Sequence, residues 1–156
     1  MADRLAENAH VDLAGGHQRT TALRVAVHYP YRMLPNFETL DLADLDSRWS
    51  DLTRWIEVKF EREPTIESIL FLIGIQSEGH GYQPKLAKEE KQDLIMEGTY
   101  VAFETLGLYQ RIGADAKGRW LWEPRIAMPA LELDDQETLL RLAILTYFDD
   151  IRPPSA

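Results

Sequence analysis

Residues 65–107 read TIESILFLIGIQSEGHGYQPKLAKEEKQDLIMEGTYVAFETLG, and this stretch decides the fold. Thr65 sits where a helix N-cap belongs, just after Pro64, and Glu67 falls in the first turn that follows. The run from Ile69 to Ile75 is apolar on every side. A helix of that kind is expected at the centre of a core, because no face of it suits water. Gly79 is expected to end it, and the polar turn Glu78-Gly79-His80-Gly81-Tyr82-Gln83-Pro84 leads to a second helix from Lys88 to Leu106, with Gly107 as its C-terminal glycine. Leu94, Ile95, Val101, Ala102, Thr105 and Leu106 form its inward set. Gly74 and Gly98 lie inside these helices, where each costs about 1 kcal/mol relative to alanine. The expected compensation is close approach of another backbone. For an antiparallel pair, Gly98 is expected opposite Ser68 and Ile69, and Gly74 against the last helix.

An earlier helix precedes this pair. Leu42, Leu45, Trp49, Leu52, Ile56 and Phe60 recur at spacings of three and four, which makes one apolar stripe. Asp41 or Asp44 is the expected N-cap, Lys59 and Arg62 suit the far end of the macrodipole, and Pro64 stops the helix. Trp55, at the stripe's edge, reads as a half-buried core aromatic. Downstream, residues 108–124 predict a β-hairpin. Two strand-like runs, one ending at Ile112 and the other centred on Trp120-Leu121-Trp122, flank a loop rich in turn formers from Gly113 to Gly118. The period of two puts Trp120 and Trp122 on one face and Leu121 on the other. Asp134, with Glu137 three residues on, is expected to open a last helix by a capping box. Leu139, Leu140, Leu142, Ala143, Ile144, Leu145, Tyr147 and Phe148 would cover nearly its whole surface.

These elements predict a mostly α-helical single domain, residues 21–150, with four main helices and the hairpin as an insert. Residues 1–20 are expected to be a flexible tail, residues 21–28 alternate in the manner of a strand, and residues 151–156 are expected to fray. Helices followed by a hairpin also fit a winged-helix arrangement, which makes a winged-helix-type nucleic-acid binder an alternative function. The acids Glu89, Glu90, Asp93 and Glu97 on its recognition helix disfavour that alternative.

Composition narrows the function. The chain has 156 residues, of which 45% are hydrophobic and 28% charged, enough for one core and too apolar for a disordered chain. Its formal net charge of −9 disfavours binding to phosphate backbones and to anionic membrane surfaces. Cysteine is absent, which excludes disulfides, thiolate metal sites and cysteine nucleophiles and is compatible with a reducing cytoplasm. Asp3, Arg4, Glu7 and Asp12 interrupt any signal-peptide core, so a cytoplasmic location is expected.

Catalytic motifs are missing. Ser68 and Ser77 lack a nucleophile-elbow setting, and neither a phosphate loop nor a dinucleotide fingerprint occurs. His80 between two glycines, with Glu78 beside it and Glu97 across the helix pair, is the one alternative site for a metal or small ligand. The competing reading of His80 is a plain surface turn, since His10, His17 and His28 lie far off in the N-terminal part. Glu90, Asp93, Glu97 and Glu104 share one helix at metal-capable spacings, yet the Glu-x-x-His pattern of di-iron bundles is lacking. A solvated acidic face, with Lys88 and Lys91 pairing along the helix, accounts for them. The aromatic hairpin is the stronger functional feature. Tyr109, Arg119, Trp120, Trp122 and Arg125 are the residue types of which interface hot spots are made. The competing reading is that both indoles cover the helical core.

The segments Glu67 to Gln76, Lys88 to Leu94 and Gly107-Leu108-Tyr109 resemble small bacterial proteins to which no activity is assigned. The resemblance spans residues 65–148 and implies no site. The expected function is therefore a small cytoplasmic, non-catalytic interaction or accessory protein, possessing no cofactor and acting through a protein partner or a second copy of itself. The hairpin and the apolar helices are its candidate surface.

Overall fold

A computed structural model describes residues 34–78 and 86–152. Within them the chain forms four helices, α1 (Leu42–Phe60), α2 (Ile66–Glu78), α3 (Lys88–Thr105) and α4 (Leu133–Asp149), with strands β1 (Tyr109–Ala114) and β2 (Trp120–Pro124) between the last two helices. The fold is mostly α with one small antiparallel sheet. The expected strand at residues 21–28, the tail before it, and the His80 turn lie outside the described residues.

Local chemistry sets most of the helix ends. Asp41 caps α1, its Oδ1 accepting the Asp44 N–H at 3.0 Å. At α2 the Ser68 N–H donates to Thr65 Oγ1 while the Thr65 N–H donates to Ser68 Oγ, a reciprocal box with serine in the place glutamate usually holds. The end of α3 is a Schellman turn. Gly107 takes a φ of 75°, its N–H donates to Glu104 O, and the Leu108 N–H reaches back to Phe103 O. Leu108 is then fully buried. The last helix departs from expectation. It begins at Leu133 after Glu132, no side chain caps it, and Asp134 sits in its first turn. The helix starts two residues too early for Asp134 to serve as the cap, and the Gln136 side chain donates to the Leu131 carbonyl just before it.

One core joins all four helices. Leu45, Leu52, Ile56 and Phe60 of α1 meet Ile69, Leu70, Leu72 and Ile73 of α2, Val101 and Ala102 of α3, and Ala143, Ile144, Leu145, Tyr147 and Phe148 of α4. As the all-apolar run predicts, every residue from Ser68 to Gln76 is buried. Leu42, expected in the α1 stripe, is exposed instead, while Leu40 before it and Leu45 after it pack on the core. Trp55 lies half-buried edge-on to Phe148, with Lys59 and Arg152 over its ring. Most of the apolar surface of α4 is spent within the fold: six of its residues are buried, and Leu140 and Leu142 pack against the core, while Leu133 at its start stays exposed. No helix among the described residues is long and apolar enough to cross a membrane.

The closest seam is between α2 and α3. A Cβ on Gly98 would land on the Leu70 carbonyl and lie 3.1 Å from Gly74 N, so Gly98 sits further along α2 than Ser68 and Ile69 and against Gly74 as well. A Cβ on Gly74 would land on the Leu94 carbonyl. Gly74 therefore serves α3 and not the last helix. An antiparallel pair in close contact meets at two levels, one turn apart, so one seam uses both glycines.

Candidate interaction surface

The hairpin pairs Tyr109 with Pro124, Gln110 with Glu123 and Arg111 with Trp122, then shifts, so that Gly113 faces Leu121 and Ala114 faces Trp120. Ile112 is the extra residue of a β-bulge, and Gly113 takes a φ of 146°, which side-chain-bearing residues rarely adopt. The turn is held by Asp115. Its Oδ1 accepts the N–H groups of Lys117 and Arg119, both at 2.9 Å, and its own N–H donates to Arg119 O.

The Arg119 amide, followed by that of Lys117 and by the two side-chain charges, holds the Asp115 carboxyl below its usual range. A depressed folded value stabilises the turn above the unfolded aspartate range and ceases to do so as pH falls through the folded value. The amide resonances of Lys117 and Arg119 are therefore expected to move in an acid titration only below the ordinary aspartate range. Asp115→Asn, which keeps an acceptor oxygen but has no proton to gain, should abolish that movement. A titration at the ordinary aspartate value would contradict the arrangement.

The hairpin seats on α3 through a mixed aromatic and ionic contact. Trp122 Nε1 donates to Glu97 Oε2 at 3.0 Å, while Ser77 of α2 donates to Glu97 Oε1 at 3.1 Å. Glu97 is 8% exposed, so its carboxylate is a buried bridge between two helices and the hairpin. A buried charge of this sort is tolerated because both oxygens are bonded. The Trp122 ring stacks on Tyr100, with centroids 5.7 Å apart and 17° between planes, and Tyr109 packs on Tyr100 and Phe103. Arg111 lies over both indoles, 4.8 Å from the Trp120 centroid and 5.1 Å from that of Trp122. Its Nε is 3.2 Å from Glu104 Oε2, and both side chains are sheltered. Arg119 meets Asp93 at 3.5 Å, but each of these side chains is more than half exposed, so this pair contributes at most about 1 kcal/mol. The aromatic stack and the Glu97 bridge hold the hairpin down.

The expected solvated acidic face on α3 is thus divided. Asp93, Glu97 and Glu104 face the hairpin, and Glu90 stays exposed. Spacing along α3 places these acids on one side but cannot say that a positively charged, aromatic hairpin will lie there.

The predicted surface residues also separate. Tyr109 and Trp122 are half-buried against α3 and serve mainly as anchors. Arg125 is half-buried, and its N–H closes the base of the hairpin on Leu108 O. Arg119 and Trp120 remain at the surface, Trp120 being 39% exposed. Reading by period two misses Leu121, 44% exposed on the outer face, and Ile112, 55% exposed at the bulge. It misses Arg111 as well, which is legible only once the register sets it opposite Trp122. Of the alternative site, Glu78 ends α2, Glu97 is occupied as above and His80 lies outside the described residues. Among the described residues no group of three His, Asp or Glu side chains could hold a metal ion.

Comparison with protein-family models, with curated proteins and with solved structures finds nothing that matches this chain.

Proposed function

We propose that this chain is a small cytoplasmic interaction protein without catalytic activity of its own, and that the hairpin is its partner-binding element. The supporting observation is a division of labour within the hairpin. Tyr109, Trp122 and Arg111 secure it to α3, while Trp120, Leu121 and Ile112 leave a large part of their apolar surface in water. Trp120 with Arg119 alongside supplies the residue types of binding hot spots, and Leu121 and Ile112 add exposed apolar surface around them. A rigid, pre-anchored platform also lowers the ordering cost of association. The helices also expose Leu42, Val58, Met96 and Leu133, but at most two on any one of them, whereas the hairpin carries three within one short segment. The lack of cysteine fits a reducing compartment.

The test is to tag the protein in its own host, purify it gently and identify co-purifying proteins by mass spectrometry. A stoichiometric partner is expected. Trp120→Ala combined with Leu121→Ser should weaken it by about 2 kcal/mol or more, while melting shifts by only about 1 kcal/mol. Recovery of the wild-type protein alone, at native abundance, would oppose the reading.

A further inference from the structure

The hairpin has one usable open edge, and its chemistry selects a class of partner; this inference rests on the interaction role proposed above. On β2 the main chain alternates between facing β1 and facing outward. Arg119 O accepts from Asp115 and the Arg125 N–H donates to Leu108 O, so the odd-numbered residues bond to β1. The main-chain N–H and C=O of Trp120 and Trp122 therefore point away from it. Among the described residues no third strand covers that edge. The edge of β1 is different, because the bulge at Ile112 bends it, a device that blunts strand pairing. The outer edge of β2 has no bulged residue, is aromatic and short, and ends at Pro124, which has no N–H.

Charge identifies the occupant. Each of the four helices carries more acids than bases, and Asp93, Glu97 and Glu104 of α3 lie against the hairpin. The segment 108–125 carries Arg111, Lys117, Arg119 and Arg125 against Asp115 and Glu123. With Arg111 held by Glu104, the cations left at the surface are Lys117, Arg125 and Arg119, whose exposed pair with Asp93 is weak enough to exchange. Arg119 and Arg125 bracket β2. We propose that the outer edge of β2 accepts an extended, acidic segment of a partner protein as a third strand. Its main chain pairs with Trp120 and Trp122, its apolar side chains lie on the Trp120 face, and its carboxylates lie on the Leu121 face towards Arg119 and Arg125. A duplex nucleic acid would also seek the cations, but the acidic helices around the hairpin would repel a polyanion longer than a short segment.

The experiment uses the whole chain and labelled peptides of about ten residues, one alternating valine with glutamate and one alternating valine with lysine. The valine–glutamate peptide is expected to bind about ten-fold tighter at low salt, and Arg119→Glu with Arg125→Glu should remove that preference. Independently, amide hydrogen exchange should find the Trp120 and Trp122 amides fast in the free protein and slowed by the peptide, with the Arg125 amide protected throughout. Equal binding of the two peptides overturns the acidic class. Exchange at Trp120 and Trp122 that is slow without peptide, or unchanged by it, overturns the edge. Tighter binding of a single-stranded oligonucleotide, or protection of these amides by protein concentration alone, replaces the occupant and overturns the proposal. If a native partner is lost on Trp120→Ala while any of these negative results holds, the interaction role survives and only this inference fails. If no native partner is found either, both fail.

Discussion

Gly98→Ala is expected to lower the melting temperature by several degrees although it adds one methyl to a helix. The new Cβ would coincide with the Leu70 carbonyl oxygen, and a backbone atom cannot rotate aside as a side chain can. Helices α2 and α3 would have to part along the seam. Overpacking of this sort costs roughly 1–3 kcal/mol, occasionally more, and this contact belongs at the upper end. Alanine's better helix propensity returns only about 1 kcal/mol, so packing wins. The net loss of about 2 kcal/mol corresponds to about 4–8 °C for a chain of this size. Gly74→Ala, against the Leu94 carbonyl, should behave alike. Because one separation of the helices relieves both clashes, the double variant should cost less than the sum of the two. An unchanged or raised melting temperature for either single variant would mean that the two helices do not touch there.

Trp122→Ala should be the most damaging change in the hairpin. It removes the ring stacked on Tyr100, deprives Arg111 of one of its two indoles and takes the donor from Glu97 Oε2. Aromatic-to-alanine changes in packed sites cost about 3–5 kcal/mol, and a half-buried ring belongs near the lower figure. Trp122→Phe keeps most of the packing and leaves only the carboxylate under-satisfied, for about 1–3 kcal/mol. The loss should be local before it is global. Amides of the hairpin should exchange faster in Trp122→Ala than those of α2 and α4, which draw their protection from the main core. Uniform acceleration across the chain would make Trp122 an ordinary core residue and not the hairpin's anchor. This also bears on the binding test: Trp122 must be left intact there, since its removal would displace the whole surface.

What could be read beforehand was the part governed by neighbours in sequence. The Asp41 cap, the start of α2 at Thr65 and the glycine stop at Gly107 are decided within a few residues, so each is visible in the chain itself. The turn expected from Gly113 to Gly118, by contrast, begins only at Asp115, Gly113 and Ala114 being drawn into β1 by pairing with β2. The failed cap at Asp134 shows the limit of such reading. An acid three residues before another acid resembles a capping box, but the helix starts at Leu133 with no side-chain cap, and Gln136 uses its side chain only to tie the helix to the Leu131 carbonyl before it.

The candidate surface was half legible for a related reason. Residue types marked the hairpin as the place to look, and alternation put Trp120 and Trp122 on one side. Nothing in their spacing could say that Trp122 would be taken by Tyr100 and Glu97 while Trp120 stayed at the surface.

By itself, then, the order of residues determined four helices, a hairpin and a central apolar helix, because periodicity and turn chemistry act over one or two turns of chain. Tertiary structure alone decided which backbone Gly74 meets, that Asp93, Glu97 and Glu104 serve as the hairpin's seat, and which aromatic remains exposed. Those outcomes depend on how whole elements are set against one another, and that is determined by the joint packing of a core shared among all of them.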